Sequence, residues 1–291
     1  MRFLLFVLTL TASAATLVDV VRESIARNDI PRAAEMIRSY RASRGVTPEA
    51  VEALSWMARG ELAQKNLVQA DKYAQETYKL SQEQLKTHPL LRDPNLQIAL
   101  GAAIEVEANV LVTRGQRAEA VTYLNDQLKT YYATPLRPRI QKNLNVLSLE
   151  GKRAPALEHV TIPAGKPVLL FFWAHWCSDC KYEIPILARI KAEFVPKGLA
   201  FITPTQKYGY IGGGDDATPE VELRYIEQVR QQFYGAIIDT PAPVSEENFS
   251  RYGASTVPTF VLIDRNGIVK MYHPGGLTYE ELRPRIESLF R

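Results

Sequence analysis

The apolar run Val168 to Trp173 leads through a tight turn into Trp176-Cys177-Ser178-Asp179-Cys180, which holds the only two cysteines in 291 residues. A strand that ends in a turn and opens a helix places the first thiol at a helix N-terminus, where unpaired amide donors and the macrodipole favour an anion. Cys177 is therefore expected to ionise more readily than an ordinary thiol. Cys180, one turn further in, is placed to attack a mixed disulfide formed at Cys177, which is the chemistry of dithiol-disulfide exchange. A zinc half-site would need two more ligands, yet there is no further Cys, and His88, His159, His175 and His273 show no ligand spacing. A purely structural disulfide closing so small a loop would stabilise little.

The chain opens with a short basic start (Met1-Arg2), an apolar core (Phe3 to Leu10) and a small-residue exit around Ala12 to Ala15. This reads as a secretory signal peptide over residues 1–15. The apolar run is shorter than the roughly 20 residues that span a bilayer, and no later stretch is read as crossing one. A cleaved leader implies an oxidising compartment, secreted or periplasmic, where a cysteine pair is used rather than left idle. The composition is that of an ordinary globular chain, with 46% hydrophobic and 23% charged residues and a net charge of +3. Nothing in it calls for nucleic acid or a membrane surface.

Residues 16–150 are read as an all-α domain of helical hairpins, with apolar residues returning at three and four as in Ala53, Leu54, Met57, Ala58 and Leu62. A weak echo recurs at three turns: Asn28-Asp29-Ile30-Pro31-Arg32-Ala33, Lys65-Asn66-Leu67-Val68-Gln69-Ala70 and Gly115-Gln116-Arg117-Ala118-Glu119-Ala120. The small residue five places after each turn suits close helix packing and resembles tetratricopeptide repeats, although the intervals are unequal. A groove between such hairpins would serve a protein partner; an irregular bundle explains the same residues.

A Gly- and Pro-bearing linker, Gly151 to Pro155, separates this region from residues 151–291, where the period changes. Strands are expected at Val168–Trp173, Leu199–Thr203, Ala236–Asp239, Thr259–Asp264 and Ile268–Tyr272. Helices are expected at Cys177–Val195, Pro219–Phe233, Ser245–Tyr252 and Tyr279–Phe290. Interleaved strands and helices ending in a hairpin give an α/β sheet covered on both faces, with Asp264-Arg265-Asn266-Gly267 as the hairpin turn. The insertion Tyr208 to Pro219, with its Gly212-Gly213-Gly214-Asp215-Asp216 run, lacks the ending of a phosphate loop and is expected to be a mobile surface loop.

Two segments carry a resemblance. Lys166 to Pro185, with Phe171-Phe172-Trp173-Ala174-His175-Trp176-Cys177-Ser178-Asp179-Cys180, resembles the active-site segment of the thioredoxin superfamily, nearest its extracytoplasmic branch of TlpA-, ResA- and CcmG-like proteins. Tyr252 to Asp264, with Thr256-Val257-Pro258-Thr259, resembles that family's second signature. The resemblance implies a thioredoxin-like α/β domain over 151–291, Cys177 as the attacking thiol and Cys180 as the resolving one. It further implies a cis Pro258 facing the pair, with the amide and carbonyl of Val257 turned to an incoming peptide. Trp176 would shape the docking surface, Trp173 would be core, Pro185 would kink the first helix, and Glu183 would accept or supply a proton. Phe171 occupies the place of the buried Asp of cytoplasmic thioredoxins, so no relay through that carboxylate exists.

The dipeptide Ser178-Asp179 departs from the Pro-containing pairs usual in the relatives. The Asp179 charge opposes a thiolate while Ser178, Lys181 and the helix dipole favour it, so the residues leave the net sign open; because a less stabilised thiolate makes the better reductant, a reducing role is weakly favoured. His175 is expected at the surface, modulating Cys177 at most. The expected function is extracytoplasmic thiol-disulfide exchange with protein disulfides or dithiols, reset by an upstream electron donor. No cofactor beyond the Cys177–Cys180 couple and no resident metal are expected. One rival is a copper-delivering or chaperone-like binding protein using the same cysteines, with His273 as a third ligand. In another, the helical half is the working end.

Overall fold

The computed structural model describes residues 15–291. The leader read over 1–15 thus lies, apart from Ala15, outside the described residues. The chain divides into two compact units, Met1–Val110 and Leu111–Arg291.

Helices α1 (Leu17–Ala26), α2 (Ile30–Arg44), α3 (Pro48–Ala63), α4 (Leu67–Gln84) and the start of α5 (Pro94–Thr113) build the first unit. Thr16 opens α1 with a capping box to Asp19, and Asp29 and Thr47 cap α2 and α3 through their side chains. The core of α1–α3 is Leu17, Val21, Ala33, Ile37, Ala53, Leu54 and Met57, and Ala58, Ala70 and Ala74 pack on Val106 and Val110 of α5. By length and composition α5 could cross a bilayer, contrary to the sequence reading, but more than half of its apolar stretch is buried, as in the core helix of a globular unit.

The echo noted at three turns is a repeated piece of backbone. Asn28, Lys65 and Gly115 are all left-handed, with φ of 62°, 62° and 82°. The amides of Asp29, Asn66 and Gln116 each reach back five residues, to Ser24, Glu61 and Leu111 carbonyls, closing the preceding helix in a Schellman-type turn. The small residues Ala33, Ala70 and Ala120 are each fully buried.

The second unit begins earlier than the sequence boundary at 150 suggests. Helices α6 (Arg117–Thr130) and α7 (Arg137–Ser148) group with the α/β part. The reason lies in α7: Asn145 Nδ2 donates to the Tyr252 carbonyl at 2.8 Å, and Arg137 grips Glu247 through two hydrogen bonds of 2.9 and 3.1 Å. Gly253, at φ 62°, lies so close to the backbone of Gln141 and Lys142 that a Cβ there would collide with it. The expected linker is itself tied down, since the Gly151 and Ala154 amides donate to Val269 and Gly267 carbonyls at 2.8 Å.

A four-stranded sheet follows in the order β2-β1-β3-β4, from β1 (Val168–Phe172), β2 (Ala200–Ile202), β3 (Thr259–Ile263) and β4 (Val269–Pro274). β1 runs parallel to β2 and antiparallel to β3, and β3 pairs antiparallel with β4. Every residue of β1 and β3 is buried, as expected of central strands covered on both faces. Alternation decides which layer each side chain joins. Leu169 and Phe171 meet α9 (Ile184–Phe194) and α12 (Tyr279–Ser288), whereas Val168, Leu170 and Phe172 meet Phe249 and Tyr252 of α11 (Glu246–Tyr252). The short strand expected at 236–239 is instead a 3₁₀ turn, Gly235–Ile237. The single expected helix over 177–195 is split into α8 (Ser178–Tyr182) and α9, with Pro185 in the first turn of α9. α10 (Pro219–Phe233) lies between the insertion and that turn.

Candidate active site

β1 delivers the chain to Trp173, whose position is fixed from three sides. Its amide donates to Pro204 at 3.1 Å, its indole to Thr203 at 3.0 Å, and Thr205 Oγ1 donates to its carbonyl at 2.9 Å. The Cys177 amide then closes on the Ala174 carbonyl at 3.1 Å, making the tight turn that starts α8. Cys177 is the N-cap, its sulfur accepting the Cys180 amide at 3.0 Å. The two sulfurs are bonded to each other, with Cα atoms 5.3 Å apart. Both cysteines are buried, but Trp176 beside them is 48% exposed. Ser178 and Asp179 are exposed, and the Lys181 ammonium lies 4.3 Å from the centre of the Phe233 ring.

Glu183 joins α8 to α9. Its amide donates to Asp179 at 3.2 Å and its carbonyl accepts from Leu187 at 2.9 Å. The side chain is 8% exposed; Oε1 accepts the Leu277 amide at 3.2 Å, and Oε2 is buried with no partner. Burial pushes the carboxyl up to about 7, the Leu277 amide pulls it down, and the charges of Asp179 and Glu281 push it further up. A carboxyl poised there gains or loses a proton readily at neutral pH. Gly276 makes the fit possible, because a Cβ at that position would collide with Oε1 of Glu183.

The Val257–Pro258 peptide is cis. The Pro258 carbonyl accepts the Gly275 amide at 2.8 Å, which ties the start of β3 to the Gly-Gly turn over Glu183. Val257 packs against the cluster that contains both cysteines. The structure thus brings Cys177, Cys180, Glu183, Val257 and Pro258 to one end of the sheet.

His175 departs from expectation. It is 1% exposed, not a surface imidazole, because a carboxylate 47 residues away receives it: Nε2 lies 3.1 Å from Oε1 of Glu222, which is itself 1% exposed. Burial holds the imidazole below its usual range despite the Glu222 contact. The insertion is not loose either, since the Tyr208 and Gly209 amides donate to the two Glu222 oxygens at 2.5 and 2.8 Å. Glu222 and Tyr208 were missed by the sequence reading, for α10 shows only an acidic residue one turn from a helix start. Among the described residues no group of three or more His, Cys, Asp or Glu is placed to hold a metal ion, and His273 lies on β4 opposite Phe260.

Residues 156–290 match the family model of a thioredoxin-like domain. The thioredoxin-like protein YneN of Bacillus subtilis is 24% identical over 147 residues, 47% of this chain and 79% of its own length. The thiol-disulfide oxidoreductase ResA of Geobacillus thermodenitrificans is 28% identical over 48% of this chain and 71% of its own. The thiol:disulfide interchange protein DsbE of Xylella fastidiosa is 25% identical, with 54% of its length covered. Among solved structures, the exposed lipoprotein thioredoxin of Streptococcus pneumoniae shares 24% identity over 43% of this chain and 85% of its own, with a TM-score of 0.35. Family model and relatives agree on one segment: residues 156–290 match a thioredoxin-like domain, and relatives aligned to it are named thiol-disulfide oxidoreductases.

Proposed function

We propose that the protein exchanges disulfides with protein partners outside the cytoplasm and works mainly as a reductant. The observation that carries this is the Cys177–Cys180 disulfide, set at the turn from β1 into α8 with the Cys180 amide on the Cys177 sulfur. In the reduced protein the same amide would stabilise a Cys177 thiolate. That thiolate attacks a partner disulfide, forms a mixed disulfide and releases one partner thiolate. Cys180 then attacks the Cys177 sulfur, releasing the second partner thiol and leaving the internal disulfide, so two electrons pass to the partner. An upstream dithiol donor returns them. Glu183, with a proton affinity set near neutrality, takes the Cys180 proton in the second step.

The exposed carboxylate of Asp179 next to Cys177 disfavours the thiolate and hence the reduced state, which supports the reducing direction. The outward location rests on the leader-like composition of residues 1–15. No organic cofactor enters this scheme, and the helical unit would offer a second surface to a partner.

Trapping tests the proposal. A Cys180→Ser variant should accumulate mixed disulfides through Cys177 that dissolve with dithiothreitol, and a Cys177→Ser variant should trap none. Equal trapping by both variants, or by neither with wild type inert toward a disulfide-bonded protein, overturns it.

A further inference from the structure

Glu222 stands outside the exchange chemistry, yet it gathers more of the site's framework than any other buried side chain there. Oε1 meets His175 Nε2 at 3.1 Å and accepts the Tyr208 amide at 2.5 Å, while Oε2 accepts the Gly209 amide at 2.8 Å. His175 lies two residues before Cys177, so a single carboxylate joins the active-site turn to the insertion after β2. With Nε2–H given to Glu222, the neutral imidazole keeps Nδ1 bare, and that atom is buried without a partner. Its ring is held instead by the edges of Tyr208, Tyr210 and Tyr225, at centroid distances of 5.5, 5.4 and 5.4 Å.

The insertion itself is a closed, hydrogen-bonded hairpin. Tyr210 bridges to Asp216, the Ile211 amide donates to Asp215 at 3.0 Å, and the Ala217 amide donates to Gly209 at 2.9 Å. Gly212 sits against Tyr225 so closely that a Cβ would lie 2.5 Å from its hydroxyl oxygen. The outcome is the placement of one ring: Tyr208 meets Trp176 edge-on at 5.4 Å and 78°, directly beside Cys177. Trp176 is half exposed, and Tyr208, partly buried against the core cluster that holds both cysteines, backs it at the mouth of the site.

We propose that Glu222 is a positioning residue that makes this insertion one wall of the partner cleft, and that the Trp176–Tyr208 shelf selects disulfides flanked by an apolar or aromatic side chain. The inference rests on the exchange reading above, and its substrate class follows from the rings: a peptide cysteine carrying such a neighbour fills the shelf, whereas a small disulfide leaves it empty. Loss of the shelf therefore changes discrimination between the two more than it changes exchange as such.

The test measures kcat/KM of the reduced protein for two oxidants, a synthetic peptide disulfide with Phe beside each Cys and 2-hydroxyethyl disulfide. In Tyr208→Ala the peptide-to-small-molecule ratio should fall about tenfold, the scale of one aromatic contact. Tyr208→Phe, which keeps the ring, should restore it. Glu222→Gln should lower the ratio as well, because an amide group cannot accept at both oxygens and would face the Gly209 N–H with a donor. If wild type reduces neither oxidant, the exchange reading itself fails. If wild type reduces both and the ratio is unchanged in Tyr208→Ala, or equally lowered in Tyr208→Phe, the shelf is overturned whatever the folding of Glu222→Gln.

Discussion

Leu277 donates its amide to Oε1 of Glu183 at 3.2 Å, while the second carboxyl oxygen remains buried with no partner. One donor is too few to keep a buried carboxylate charged, which is why burial prevails and the group titrates near 7. The same turn is bonded to Pro258 through Gly275, so the Glu183 side chain and the cis-proline segment share one support.

The stability of the protein should depend on Glu183 with a definite sign. Its carboxyl titrates at 4.5 when unfolded and at about 7 when folded, so between these values the native state binds more protons. Unfolding free energy then falls as pH rises from about 4.5 to 7, by a ceiling of about 3 kcal/mol for the full shift. Glu183→Gln should flatten this slope and melt higher than wild type at pH 8, as paired calorimetric scans at pH 5 and 8 will show. In activity, the wild-type rate should rise as Glu183 deprotonates, and the same variant should lose that rise.

Removing the charge beside the first thiol should shift the couple. Asp179→Asn should make it more oxidising by about 10–30 mV, the equivalent of a modest exposed charge interaction at 30 mV per 1.4 kcal/mol. Redox titration against glutathione reads this directly; an unchanged or more reducing potential contradicts it. The same variant should lower the Glu183 titration slightly, because Asp179 is one of the charges holding it up.

Gly276→Ala should disturb the site from a distance in sequence. The added methyl displaces the Glu183 carboxyl, the free end of its side chain, so the cost should lie at the low end of overpacking, about 1 kcal/mol. Glu183→Ala in the same chain makes room for it, so the double variant should be less destabilised than the sum of the single ones in denaturant titrations.

On the opposite face of the sheet, Asn145→Ala should destabilise by about 1–3 kcal/mol, leaving the Tyr252 carbonyl without its donor. Arg137→Ala should do less at high salt than at low salt, since its two bonds to Glu247 lie partly in solvent. Urea melts at two ionic strengths separate the two effects.

What the sequence disclosed was local in origin. Val168 to Phe172 and Thr259 to Ile263 announce themselves as buried strands by unbroken apolar character, and the cysteine turn is legible because its chemistry is contained in five residues. The three helix turns were visible for the same reason, each being a six-residue pattern with one left-handed position. What escaped depended on distant partners. His175 has a polar side chain in an exposed-looking turn, and only Glu222, brought over by the start of α10, makes its burial tolerable. Residues 236–239 have strand-like composition, but the Ile237 amide closes on Tyr234 and the Thr240 amide on Ile237, so the chain turns there and only the next residues, Pro241 and Pro243, meet the Thr203 and Thr205 amides beyond β2. Helix α7 has the polarity of a surface helix, and its allegiance is set by Asn145 and by a glycine more than a hundred residues later.

That glycine has a consequence for anyone who shortens the protein. The catalytic half, cut out at the start of its matched segment, would keep both sulfurs and the whole sheet yet leave the niche at Gly253 vacant and the Tyr252 carbonyl without the donor that Asn145 provides. Such a fragment would be chemically complete and mechanically unfinished, and its melting behaviour would report the missing brace more than the redox centre it was made to isolate.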